Sequence, residues 1–206
     1  MRSKKLFIVR HGQTDYNLNG IVQGSGINSD INETGQYQRD AFFNAYKHVP
    51  FDRIYTSGLK RTHQSVEPFL NNGTRHQVLD GLNEINWGTK EGTAFAEDGA
   101  EYYADMINRW NSGQTDYRVD GGESPRDVQE RINKAMDVIV SQDGEQILVC
   151  THGRALRILM CTILNYPLHL MDEFEHSNLG LYVINYHEGR YFIEVTNDTS
   201  HLNGVA

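Results

Sequence analysis

The chain has 206 residues, with 19 Lys plus Arg against 27 Asp plus Glu and a formal charge of −8 at pH 7. That balance excludes a general nucleic-acid-binding surface, which needs a basic surplus or stripe, and it predicts little long-range steering of anions. No apolar run reaches the ~18 residues of a membrane span, and the stretch Leu6–Val9 behind the basic start is too short for a secretory leader. A cytoplasmic protein with neither nucleic acid nor membrane as partner is therefore expected. The 38% hydrophobic content can fill a sizeable core, read here as one domain over 1–206.

In chain order, Leu6–Val9 reads as a short buried strand. A Gly- and Asn-rich loop leads to a helix from Glu33 to His48, with Tyr37, Ala41, Phe42 and Ala45 at helical spacing. Asp52–Thr56 is a second strand, Leu59 to Leu70 a helix that Pro68 bends or ends, and His76–Leu79 a weak third strand. Phe95 to Trp110 has helical spacing, with Glu97, Asp98, Glu101 and Asp105 as its solvated face. Ser124-Pro125 supplies an N-cap and a proline at the first helical position for a helix to about Val140. Ile147–Cys150 is a buried strand, Ala155 to Leu164 a helix, and Leu179–Tyr186 with Tyr191–Thr196 a hairpin. The alternation predicts an α/β fold with a mostly parallel sheet and an antiparallel edge. Cys150 and Cys161 sit in apolar surroundings and read as buried thiols.

Ligands of open α/β sheets bind beyond the carboxyl ends of the strands. There this chain places Arg10-His11-Gly12, Ser57 with Arg61 one helical turn on, Asn83-Glu84, and His152-Gly153-Arg154. This set suits transfer of a phosphoryl group to a histidine nitrogen. Guanidiniums give planar forked contacts to phosphate oxygens. A neutral imidazole is a nucleophile and a protonated one a donor. A single carboxylic acid can protonate the leaving oxygen and then activate water. No acidic cluster suited to Mg²⁺ stands at these ends, so neither metal nor cofactor is expected. Gly12 allows a tight fold beside His11, where a backbone carbonyl would take the Nδ1 proton and leave Nε2 to attack. Neighbouring cations would keep His11 neutral, while a bound anion would keep His152 charged.

The octad Arg10-His11-Gly12-Gln13-Thr14-x-x-Asn17 resembles the signature of the histidine phosphatase superfamily, also called phosphoglycerate mutase-like. Gln23-Gly24, Ser57-x-Leu59-x-Arg61, Leu82-x-Glu84 with Gly88 and Glu91-Gly92, Gly122-Glu123-Ser124, and Thr151-His152-Gly153 with Arg157 resemble its further blocks, in family order. The resemblance implies a three-layer α/β/α sandwich on a mixed six-stranded sheet ordered 3-2-4-1-5-6, with one antiparallel strand. It also implies that His11 is phosphorylated, that Arg10, Arg61 and His152 form the phosphate pocket, and that Glu84 is proton donor and then base. Asn17, Gln23, Gly24 and Gly153 are expected around the substrate. Glu91 and Glu123 are the rivals of Glu84, and His176 is the best placed of the other histidines for the pocket mouth. Arg154 departs from the family pattern. Facing the pocket it would serve a second phosphate or a carboxylate; facing solvent it would be surface charge.

The segment 93–121 is expected to cap the pocket. Its Tyr102, Tyr103, Trp110 and Tyr117 either stack on a substrate ring or, like Trp87, pack in core or lid. The compact segment after Glu84, with Lys90 as the one basic residue before Arg109, resembles the phosphatase branch. The expected activity is hydrolysis of a small-molecule phosphate monoester. A phosphoglycerate mutase-type transfer and a weak phosphoryl-binding module are the alternatives. Tyr191 and Phe192 on the last strand pair offer an edge for a homo-oligomer.

Overall fold

The computed structural model describes residues 3–94 and 100–204. Six strands form one sheet in the order β3-β2-β4-β1-β5-β6. They are β1 (Ser3–Arg10), β2 (Arg53–Thr56), β3 (Arg75–Val78), β4 (Gln146–Thr151), β5 (Leu181–His187) and β6 (Arg190–Asp198). Neighbours from β3 through β1 run parallel, and β5 lies antiparallel to both β1 and β6. The expected strand order and single antiparallel strand are those observed.

The central strands are apolar on both faces because helices cover both. Leu6 and Ile8 of β1, with Ile147 and Val149 of β4, face α5 (Pro125–Ser141) and α6 (Gly153–Ile163). Phe7, Val9, Leu148 and Cys150 face the opposite layer, with Phe42 of α2 (Glu33–Tyr46) and Val66 and Phe69 of α3 (Lys60–Leu70). Alternate residues along each strand therefore feed two separate cores. Helix α5 starts where expected. Ser124 and Asp127 form a reciprocal capping box with Pro125 in the first turn, and Val128, Ile132, Ala135 and Ile139 point inward.

Several expectations shift. Helix α3 ends at Leu70 as expected, with Pro68 in its last turn rather than as its stop. Helix α6 begins two residues early, capped by His152, and ends before Asn165, whose φ of 56° breaks the helix. A four-residue helix, α1 (Asp15–Leu18), and 3₁₀ turns at Asp80–Leu82, Gly88–Lys90, Leu168–Glu173 and Ser200–Leu202 had no periodic signal to show them. Of the helix expected over 95–110, residues 95–99, including Glu97 and Asp98, lie outside the described residues, and α4 (Ala100–Asn111) covers the rest. Trp110 is a core residue, fully buried, its Nε1 donating to Tyr117 O at 2.8 Å, so it is not a ring platform. Tyr191 is partly buried against Tyr186, which leaves Phe192 and Ile193 as the exposed apolar residues of edge strand β6. Both cysteines are buried free thiols, and burial pushes Cys161 up to about 11. No helix among the described residues is long and apolar enough to cross a membrane.

Candidate active site

The site begins with sheet register. Arg10 of β1 pairs with Thr151 of β4, and His11 N donates to Thr151 O at 3.0 Å, extending the parallel ladder by one step. His11 and His152 thus leave the sheet side by side, ring centroids 5.1 Å apart. The chain can turn here because Gly12 has no side chain. A Cβ on it would sit 2.8 Å from Gly35 O in the first turn of α2. Gly12 N donates to Ser65 Oγ at 2.8 Å, and Gly12 O lies 2.7 Å from His11 Nδ1. A carbonyl oxygen only accepts, so Nδ1 carries the proton and Nε2 keeps its lone pair. Burial first, then Arg61 and Arg10, hold His11 well below the ordinary histidine range. It is neutral and nucleophilic at neutral pH.

His152 is fully buried behind it. Its Nδ1 accepts from Arg61 Nε at 3.1 Å, so its proton sits on Nε2, which donates to Ser57 Oγ at 2.8 Å. Burial and then Arg61 push this group well below the usual range as well. A guanidinium aimed at Nδ1 and a dry environment favour the neutral ring. Arg61 donates its other nitrogens to Ile27 O at 2.6 Å and Gly24 O at 3.2 Å. Arg61, His152 and Gly24 thus form a layer beneath the cavity rather than its open lining. Gly24 contributes a carbonyl, and the space its missing Cβ leaves is filled by the Glu91 carboxylate.

The cavity itself is about 360 Å³ and is bordered by Arg10, His11, Glu84, Gly153, Arg154 and His176, among others. Arg10 Nη1 reaches both Nδ1 and the carbonyl of His176, each at 3.2 Å, while Arg10 Nε is buried without a hydrogen-bond partner among the described residues. Burial, partly offset by Glu84, lowers Arg10 to about 10. His176 sits at the mouth as expected and is pushed down to about 3 by burial and then Arg10, so it accepts from Arg10 as a neutral ring. Gly153 makes room for this pair, since a Cβ there would be 3.2 Å from His176 Cε1 and 3.5 Å from Arg10 Nε.

Glu84 is the cavity's carboxylate. Its Oε1 accepts from Ile85 N and Ala155 N, both at 2.9 Å, and its Oε2 from Arg154 N at 3.1 Å. Two of these donors belong to the first turn of α6, where a helix leaves its N–H groups unpaired. The rivals serve elsewhere. Glu91 accepts from Gly26 N and Trp87 N, and Glu123 from Arg131 and Asn86 N. Arg131, which carried no sequence signal, grips the Gly81, Asn83 and Glu84 carbonyls and so fixes the loop that presents Glu84.

Asn17 and Gln23 border the cavity. Asn17 Oδ1 accepts from Thr14 N at 3.2 Å, closing the capping box of α1, and Gln23 Oε1 accepts from Thr14 Oγ1 at 2.9 Å. Sequence reasoning missed Asn178, whose Nδ2 donates to His11 O at 2.9 Å and Asn17 Oδ1 at 3.2 Å. The neighbouring Leu179 has φ of 52°, a costly conformation for a branched side chain, held by full burial and by its N–H bond to Arg10 O. Tyr103 and Trp87 complete the aromatic side, while Tyr102 packs on Lys90 and Tyr117 on Arg109. Arg154 is not surface charge. It is 6% exposed, borders the cavity, and donates to Asp172 and to Tyr103 Oη.

The chain is similar to known proteins along most of its length. A wheat (Triticum aestivum) 2-carboxy-D-arabinitol-1-phosphatase is 25% identical over 89% of the chain, which spans only 37% of that protein's length. A Cronobacter sakazakii protein named a probable phosphoglycerate mutase, GpmB, is 27% identical over 98% of the chain and 96% of its own. Bacillus stearothermophilus YhfR superposes with a TM-score of 0.84 at 26% identity, covering 97% of this chain and 99% of its own. A family profile described as histidine phosphatase superfamily (branch 1) matches residues 6–199, and the chain belongs to that superfamily.

Proposed function

We propose that the chain is a metal-independent phosphomonoester hydrolase that works through a phosphohistidine on His11, with a small phosphorylated metabolite as substrate. The observation that carries this reading is the 2.7 Å contact of His11 Nδ1 with Gly12 O, which leaves Nε2 unprotonated in a cavity shared with Arg10 and Glu84. Nε2 attacks phosphorus in line with the ester oxygen. The P–O bond breaks, and the leaving oxygen takes a proton from Glu84. A water then attacks the phosphohistidine and gives its proton to Glu84. The N–P bond breaks, and phosphate and neutral His11 are restored. Arg10 and Arg61 are cations already stripped of water, lowered to about 10 mainly by burial. A phosphoryl dianion would restore the favourable contacts that burial removed. Arg61 acts from below the cavity, through His152.

The family resemblance also supports a mutase reading, as the likeness to the Cronobacter protein indicates. A mutase must retain the leaving acid while the phosphate returns, and for that it needs basic residues on the segment after Glu84, beyond any single cation of the cavity wall. Lys90, the only basic residue between Glu84 and Arg109, instead lies 4.5 Å over the Tyr102 ring and outside the cavity lining. Release of the product and attack by water fit better. The test is hydrolysis of p-nitrophenyl phosphate in EDTA. Turnover that vanishes in His11→Ala is expected. No turnover between pH 4 and 8 would favour a phosphoryl-binding module, and a panel of metabolites ranked by kcat/KM would name the substrate.

A further inference from the structure

We propose that Arg154 forms a leaving-group subsite for a carboxylate, so that the preferred substrate is a phosphate monoester whose alcohol carries a carboxylate close to the ester oxygen. This rests on the hydrolase reading above. The first observation is position. Arg154 N donates to Glu84 Oε2 at 3.1 Å, so the Arg154 side chain projects from the wall beside the group that protonates the leaving oxygen. That wall faces the alcohol, whereas Arg10 and His11 face the transferring phosphoryl group.

The second is rigidity. Arg154 Nη1 donates to Asp172 Oδ1 at 2.5 Å and Nη2 to Tyr103 Oη at 3.2 Å, while the guanidinium carbon stands 5.4 Å from the Trp110 ring centroid. These bonds use two of its five N–H groups. Three remain without a protein acceptor among the described residues, on a side chain that borders the cavity. A fork held this way loses little freedom when it meets an anion.

The third is charge. Arg157 Nη1 also donates to Asp172 Oδ1, while Asp172 Oδ2 is buried with no hydrogen-bond partner among the described residues. Two guanidiniums thus share one carboxylate, and Arg154, Arg157 and Asp172 together carry one positive charge in excess, beside a Glu84 that is protonated when the ester binds in the hydrolase reading. A carboxylate matches this excess, whereas a second phosphate dianion would leave a negative charge stranded in a buried place. A purely structural ion pair would need no second cation on the same oxygen.

The test separates binding from turnover. The His11→Ala protein is titrated calorimetrically with 2-phosphoglycolate and with ethyl phosphate, which differ by a carboxylate in place of a methyl group. Binding of 2-phosphoglycolate about tenfold to hundredfold tighter is expected, as for one added hydrogen bond to a charged group. Adding R154Q should bring the ratio to within about threefold. R154K keeps the charge, loses the fork, and should lower the ratio at least threefold, which decides the matter if R154Q does not fold. Equal affinities with Arg154 intact, or a preference left undiminished by either substitution in a folded protein, overturn the proposal. Tighter binding of ethylene glycol bisphosphate than of 2-phosphoglycolate would overturn the carboxylate assignment. If the wild-type protein releases phosphate from no ester while the binding preference stands, the hydrolase reading fails and the subsite survives.

Discussion

The floor of the site and its wall are built by different means. The floor, His11 and His152, comes from two adjacent parallel strands in register, closed by a bond between a ring nitrogen and the next residue's carbonyl. The wall, Glu84, Tyr103, Arg154 and Asp172, comes from four separated stretches of chain that meet through side-chain bonds. Their electrostatics differ too. On the floor, burial first and then the neighbouring cations push both histidines well below the usual range. On the wall, burial opposes the charge of Arg154, but Tyr103 and Asp172 raise it overall. The floor is thus suited to set the chemistry and the wall to choose the alcohol. A change in the floor should abolish the reaction for every ester, while a change in the wall should alter the ranking of esters.

The largest effect should follow His11→Ala, with a fall in kcat of about 10⁴-fold or more for all substrates. A similar loss for one ester and none for another would erase the distinction between floor and wall. Glu84→Gln comes next, with kcat lower by about 10²- to 10⁴-fold for alkyl phosphates. The loss should be smaller for p-nitrophenyl phosphate, whose leaving group departs without a proton, and equal losses would remove Glu84 from the role of acid.

Third is pH. His11, His152 and His176 all have folded-state values below the unfolded value near 6.5, His176 at about 3. The unfolded chain therefore binds more protons than the folded one below pH 6.5. Stability present above that value is lost as pH falls, by up to ~1.4 kcal/mol per pH unit for each histidine. Urea midpoints at pH 6.5 and 5.5 measure this, and a midpoint that rises at pH 5.5 would contradict the neutral floor. Inorganic phosphate or vanadate should raise the midpoint and compete with substrate.

Gly12→Ala forces a Cβ to 2.8 Å from a backbone oxygen. A loss of about 1–3 kcal/mol in unfolding free energy is expected, together with lower kcat because Gly12 O orients His11. Smallest is Glu194→Gln, which removes an ion pair with Lys5 that is 34% and 44% exposed on its two sides. It should cost under ~1 kcal/mol and leave catalysis intact.

The floor was legible in the sequence and the wall mostly was not. Arg10-His11-Gly12 and His152-Gly153 follow apolar runs directly, so strand ends and motif spacing locate them without tertiary detail. Glu84 was legible because its segment matches a family block. Asp172 and Asn178 lie in stretches with no period of 2 or 3.6; the role of Asp172 arises when α6 and the 3₁₀ turn Leu168–Glu173 pack together, and that of Asn178 when the loop before β5 meets the end of β1. Arg154 could be singled out but not oriented, since orientation depends on Asp172 and Tyr103. The tautomer of His152 is hidden in the sequence for a related reason. Residue type indicates a titratable ring, but only the approach of Arg61 Nε to Nδ1 reveals which nitrogen holds the proton.

The central claim, that His11 attacks through Nε2, is tested most directly by ³¹P NMR of the rapidly quenched, alkali-denatured enzyme under turnover with a phosphate ester. The 2.7 Å contact of Nδ1 with Gly12 O predicts a phosphohistidine linked through Nε2 of His11. A phosphate linked through Nδ1, or one carried by any residue other than His11, would contradict it.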